Sequence, residues 1–248
     1  MAASPPKIFD SRRRLALRAR AMAVGVEHSF LFQQMAQEMT ERLQFVPKEF
    51  KRVMLMGPIA AFAKQIFAES KTEIVAEPMI DEEAIPFGDS AFDLILSAGT
   101  LDSVNDLPGA LVQIRRALRA DGLFLGTLFG MGSLQSLKST MLEADGESAA
   151  AHVHPQLDLR IASDLMQRAG FMQPVCDLDG FEVRYSDWRS LVADLRAAGS
   201  GNALAGTRRY LGGDYQARLD QTWAKRAASD GKTSEFFNLL HLSGWARP

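Results

Sequence analysis

A chain of 248 residues with 47% hydrophobic and 23% charged content is long enough to bury one large α/β core, with or without an appended cap. The formal net charge of −2 and a pI near 6.1 lack the basic excess that binding a nucleic acid over a whole face requires. No apolar run reaches the roughly 20 residues of a membrane span, so an integral membrane protein is not expected.

The single cysteine, Cys176, can form neither an internal disulfide nor a thiolate metal site alone. That suits a reducing, cytoplasmic compartment, with Cys176 as a buried small hydrophobe.

In chain order, the first stretch is basic: Lys7, Arg12, Arg13, Arg14, Arg18 and Arg20 face only Asp10. Transit peptides share this look, but Ile8-Phe9-Asp10 supplies an apolar anchor and an N-cap for a retained helix running toward Met22. Its arginines read as a solvated face, with a docking surface for an acidic protein partner or membrane headgroups as the functional alternative. Phe30, Leu31, Met35, Met39 and Leu43 recur at helical spacing and predict a covering helix over Ser29 to Leu43.

The pattern then changes period. Arg52 to Met56 reads as a strand ending at Gly57-Pro58, Ile59 to Ala68 as a helix, and Glu73 to Glu77 as a second strand stopped by Pro78. An acidic loop, Asp81-Glu82-Glu83, leads to the apolar run Phe92 to Ser97, short enough for a buried parallel strand. A helix through Leu111 to Leu118 stops at Asp121-Gly122, and Leu123 to Phe129 is the next strand. Strand, helix, glycine stop and strand make a βαβ unit.

After an indistinct helical stretch from Ser133, a helix is expected over Leu159 to Ala169, and strands over Phe171 to Asp177 and Asp179 to Tyr185. Helices over Trp188 to Ala198 and Tyr215 to Ala228 precede a last strand, Phe236 to Leu242. Residues 1–48 form the N-terminal helices, and residues 49–248 an α/β domain with additions from about 133.

Few residues offer direct chemistry. Cys176 falls in a strand, and no Gly-x-Ser-x-Gly elbow points to a hydrolase. His152 and His154 could share a metal if they stood on a strand, but no third ligand is near, and a solvated loop is the plainer reading; no metal is expected. Asp81, Glu82 and Glu83 read more readily as a hydrogen-bonding edge than as a Mg²⁺ site.

The series Asp81 to Phe87, Ser90 to Ser97, Val104 to Leu111 and Ile114 to Leu118 with Asp121-Gly122 resembles the class I S-adenosylmethionine (SAM) dependent methyltransferases of the type 11 group. Ile8-Phe9-Asp10, His152 with Pro155, Arg168 to Phe171, Val183 to Tyr185, Asp194 to Arg196 and Gly244-Trp245 are similar to one branch. That branch holds bacterial relatives of the complex I assembly factor that has a methyltransferase fold and hydroxylates an arginine.

The resemblance implies a Rossmann-like, mostly parallel seven-stranded sheet flanked by helices. It implies SAM near Gly57, Glu77, Asp81, Glu82, Ser97 and Leu101, with Asn105, Asp106 or His152 approaching the acceptor. Glu77 and Asp81 fall where the ribose and adenine carboxylates are expected, only four residues apart because the usual helix and strand between them are shortened away.

The glycine-rich turn departs from the family: Leu55 stands at its acidic position, and Ile59 and Ala61 at two glycine positions. A β-branched Ile59 resists positive φ and takes ligand volume, and Pro58 removes a donor. Leu101-Asp102-Ser103 lacks the ring that would cover the cofactor. Two readings follow: a SAM-dependent enzyme acting on a protein or quinone-pathway substrate, or a degenerate scaffold or assembly factor that does not bind SAM.

Overall fold

Apolar residues follow one another almost without interruption in three runs, Val53 to Met56, Leu94 to Leu96 and Leu123 to Leu125, and the runs bury both of their faces. In the computed structural model, which describes residues 7–67, 71–147, 150–206 and 212–247, these runs are the centre of a sheet. They are β1 (Arg52–Met56), β3 (Phe92–Ala98) and β4 (Leu118–Phe129), and β2 (Glu73–Glu77) lies at one edge. The strand order is β2-β1-β3-β4-β6-β5, with β5 (Met172–Tyr185) and β6 (Thr233–Trp245) completing it.

The first four strands pair in parallel, and β6 runs antiparallel between β4 and β5. Six strands stand among the described residues rather than seven: the chain between β2 and β3 forms turns, so no strand follows β2 at that edge.

Alternation divides the core between the two faces. Val53, Leu55, Leu94, Leu96, Leu123 and Leu125 join Leu31, Phe32, Met35 and Met39 of α2 (Phe30–Gln44) on one face. Met54, Met56, Ile95, Phe124 and Leu128 join Leu111 and Ile114 of α4 (Leu107–Ala117) and Met166 of α6 (Leu159–Arg168) on the other. Burying each such side chain contributes roughly 1.5–3 kcal/mol. Both groupings draw on residues far apart in sequence.

Aspartates start four helices by accepting backbone N–H groups of the first turn. Asp10 caps α1 (Ser11–Val24), Asp106 caps α4, Asp158 caps α6, and Asp187 caps α7 (Trp188–Ala197). Helices α5 (Gln135–Asp145) and α8 (Gly213–Ala224) pack together beside the sheet's antiparallel end.

Two expectations change in detail. The helix expected from Ile59 is a 3₁₀ segment, Gly57–Phe62, followed by one short α3 (Ala63–Ile66). Three residues per turn put Ile59 and Phe62 directly in line on one face, and both are buried. The two strands expected on either side of Leu178 are one, because β6 is long enough to pair with both.

The basic N-terminal helix also differs from its reading as a solvated face. Arg14 and Arg18 of α1 are 5% and 4% exposed and turn inward across the loops that follow β2 and β3. Arg12 and Arg20 stay exposed. No helix among the described residues is long and apolar enough to cross a membrane.

Candidate functional site

The sheet changes direction between β1 and β3, and in open α/β sheets ligands enter beyond the carboxyl ends of the strands at such a point. Two regions meet there, and they are built differently.

The first is the turn after β1. Gly57 has φ +80°, a conformation that glycine adopts without strain. In ligand-binding turns the missing side chain leaves room for a cofactor, but here Thr100 fills it: a Cβ on Gly57 would collide with the Thr100 methyl. Ser97 is buried, and its hydroxyl lies 3.0 Å from Thr100 Oγ1. Ile59 is wholly buried in the α2 side of the core, and Leu101, in the short 3₁₀ turn Leu101–Ser103, is buried on the opposite face. Thr100 therefore occupies the space at Gly57, while Ile59 and Leu101 are drawn into the cores on either side.

The acidic loop is similarly engaged. Glu82 has no exposed surface; its Oε1 accepts from Arg18 Nη2 at 2.7 Å and its Oε2 lies 3.1 Å from Arg14 Nη2. Arg18 also donates to the Ile80 carbonyl, and Arg14 to Asp81 Oδ1 at 3.2 Å. Two guanidinium and two carboxylate groups balance in this cluster, which ties α1 onto the loop. Glu82, expected to face the cofactor, instead faces α1, because two arginines 64 and 68 residues earlier reach it first. Asp81 is half exposed and is shared with the Glu83 N–H. Glu77 differs from these: the register places it beside Met56, one residue before Gly57, and its carboxylate bonds no described residue.

SAM requires an open backbone approach at Gly57 and free carboxylates beyond it. Thr100 and the Arg14–Arg18–Glu82 cluster do not fit that requirement.

The expected acceptor-side residues separate. Asn105 clamps the start of α1: its Oδ1 accepts from Phe9 N–H at 2.8 Å, and its Nδ2 donates to Phe9 O at 3.1 Å. Asp106 is the α4 cap, accepting from Gly109 N–H at 2.9 Å. Both side chains are thus engaged in these structural contacts. The X-Asp-Leu-Pro-Gly pattern already carried the cap signal, with proline at a first-turn position.

His152 does line a cavity, the second region, of about 860 Å³. Its walls come from α1, α5, α7, the loop 150–156 and the segment 200–206. His152 Nε2 lies 2.9 Å from Asp145 Oδ2 and 3.3 Å from the Tyr215 hydroxyl. Burial pushes the Asp145 carboxyl upward, but hydrogen bonds from Ala150 N–H, His152 and Tyr215 outweigh it and hold the group below its usual range.

His154, two residues on, turns elsewhere: its Nε2 accepts from Ala203 N–H at 2.9 Å, and its ring meets Phe9 edge-on. The two histidines stand in an irregular loop, not a strand, and share no ligand point.

Asp102 was not singled out as a site residue, yet it faces the same cavity. Burial raises its carboxyl above the ordinary value against the lowering effects of His154, Arg18 and Arg14. Burial lowers His154 in turn, opposed by Asp102. Both shifts favour the uncharged forms of a pair 52 residues apart. Arg13, Arg20 and Arg196 also reach the cavity. Helical spacing alone places Arg13, Leu17, Arg20 and Val24 along one face of α1, which was the available signal.

Elsewhere, Glu38, Asp179 and His241 are the grouping with metal-ligand proximity among the described residues. Arg42 already occupies its acidic side, donating to Asp177 and Asp179 at 2.7 Å each. Cys176 is half-buried, and burial with the adjacent Asp177 pushes its thiol up to about 11, a poor nucleophile at neutral pH.

Comparison with known proteins agrees with this architecture. Residues 58–126 match the methyltransferase domain family. The YcgJ protein of Bacillus subtilis superposes with a TM-score of 0.52 at 13% identity, covering 87% of this chain and 99% of that one.

The chain is a protein of the class I methyltransferase fold.

This methyltransferase-fold chain is 28% identical over 245 residues to the mitochondrial arginine-hydroxylase NDUFAF5 of Danio rerio, covering 96% of this chain and 71% of that protein. It is also 28% identical over 188 residues to the malonyl-[acyl-carrier protein] O-methyltransferase of Laribacter hongkongensis, covering 75% of this chain and 61% of that protein.

Proposed function

We propose that this methyltransferase-fold protein is a binding or assembly factor whose donor cradle is closed, and that it acts through the cavity beside α1 rather than through SAM. The observation that carries the reading is Thr100 filling the space at Gly57 while Arg14 and Arg18 occupy Glu82. Its likeness to NDUFAF5, whose name denotes an arginine hydroxylase, agrees with a methyltransferase fold put to another use. On this reading residues 1–48 are integral to the function, since α1 closes one region and walls the other. A protein partner would meet the exposed Arg12 on α1, and a reducing compartment such as the cytoplasm suits the lone thiol.

Glu77 favours a second reading, that of a SAM-dependent enzyme acting on a protein or quinone-pathway substrate. This carboxylate lies free at the end of β2, where a ribose would bond it, and α1 would have to move for the donor to enter. Isothermal titration with S-adenosylhomocysteine separates the two. The first reading expects no saturable heat at millimolar ligand; micromolar binding would establish the second.

A further inference from the structure

The cavity has a one-sided charge. Arg13, Arg20 and Arg196 reach it, and among the described residues Asp102 is the only carboxylate on its walls. Arg13 is engaged, bonding the Leu204 carbonyl and lying 3.8 Å from Asp10. Arg20 donates from Nε to the Ala16 carbonyl of its own helix at 3.2 Å, which leaves its terminal nitrogens for a ligand. The Arg196 side chain bonds no described residue. Asp102, on the same walls, has its carboxyl raised above the ordinary value by burial, against the lowering effects of His154, Arg18 and Arg14.

Below this rim the walls are apolar: Phe129, Leu137, Met141, Val153 and Val192. A volume of about 860 Å³ lies within the range of small-molecule sites. An apolar floor under unpaired guanidinium groups matches a molecule that is greasy at one end and anionic at the other, since each part satisfies what the other leaves unmet.

We propose that this cavity binds an anionic amphiphile, with an apolar body against Phe129, Leu137 and Val192 and a carboxylate or phosphate head at Arg20 and Arg196. The proposal rests on the reading of this fold as a binding protein and names the ligand class of its open cavity. It is independent of whether SAM binds, so decanoate titration and S-adenosylhomocysteine titration fail separately.

The test uses the full chain and four probes below their micelle concentrations: decanoate, decyl phosphate, decanol and decyltrimethylammonium. Calorimetry is expected to show saturable binding of both anions, at least tenfold weaker binding of decanol, and none of the ammonium. A tighter decyl phosphate points to a phosphorylated lipid as the source, a tighter decanoate to an acyl acid, and either order upholds the anionic class.

Arg20→Gln with Arg196→Gln is expected to weaken decanoate by about tenfold or more without changing decanol, as loss of charge-assisted bonds predicts. Both side chains are exposed, so the melting temperature should hold. Ala193→Trp, at an exposed cavity position on α7, is expected to abolish binding of every probe by filling the mouth. Decanol binding as tightly as decanoate, an unchanged decanoate affinity in the double variant, or no anion binding at all would overturn the proposal.

Discussion

The turn after β1 and the cavity beside α7 lie at the same end of one sheet and share α1 as a wall, yet one is filled and the other is open. At the turn, Glu77 apart, the groups expected to meet a ligand meet the protein: Thr100 packs on Gly57, Ile59 lies in the core, and Arg14 and Arg18 hold Glu82. At the cavity, arginines and a carboxyl line a space that the described residues leave open. A fold's ligand end is thus not a single site. Substitutions in two loops and one helix can close the donor half while leaving the acceptor half intact.

The largest expected effect lies in the closed half. Glu82→Gln strands two buried guanidinium groups and should cost about 3–5 kcal/mol in urea unfolding. Replacing the cluster together, with Glu82→Leu, Arg14→Met and Arg18→Met, should be neutral to stabilising, because no buried charge is then left unpaired. If Glu82→Gln costs less than about 1 kcal/mol, α1 is not tied down and the comparison loses one side.

Asp106→Ala ranks next. Losing the α4 cap should cost about 1 kcal/mol with no effect on ligand binding, which separates a cap from an acceptor-side group.

The open half is sharpened by pH. Burial depresses the His154 pKa, so its contribution to stability is complete above the unfolded value of 6.5 and is lost as pH falls toward the folded value. The wild-type melting temperature should drop between about pH 7 and pH 5. His154→Gln, which keeps an acceptor for Ala203 N–H, should flatten that drop. Asp102 has the opposite sign: raised by burial, it contributes stability below its ordinary 3.8 and loses it as pH rises through the folded value. Asp102→Asn should therefore stabilise the protein at neutral pH, by on the order of 1 kcal/mol.

The smallest effect is at Cys176. With its thiol pushed up to about 11, alkylation at mildly alkaline pH should be slower in the folded protein than in the unfolded chain. Equal rates would contradict the burial that sets the shift.

Much of the fold was legible because apolar period acts locally: β1, β2, α2, α6 and α7 stand where alternation and helical spacing put them. Crowding at the turn was expected from the size of Ile59, but Ile59 packs into the core and it is Thr100, 43 residues on from Gly57, that meets the glycine. The site was legible only in part. Glu82 read as a free carboxylate because its partners sit on α1, and nothing within a short window shows Arg14 or Arg18 turning inward. Asn105 and Asp106 read as acceptor groups because polar residues after a strand suit either chemistry or a clamp, and only the Phe9 and Gly109 contacts decide. Asp102 and His154 come together through tertiary packing alone.

The contrast between the closed turn and the open cavity is tested most directly by crystals grown in millimolar SAM together with decanoate. The account predicts decanoate in the cavity between α1 and α7, with Thr100 still packed on Gly57 and Arg18 still on Glu82. Density for SAM along Gly57 and Glu77, with α1 displaced from the acidic loop, would contradict it.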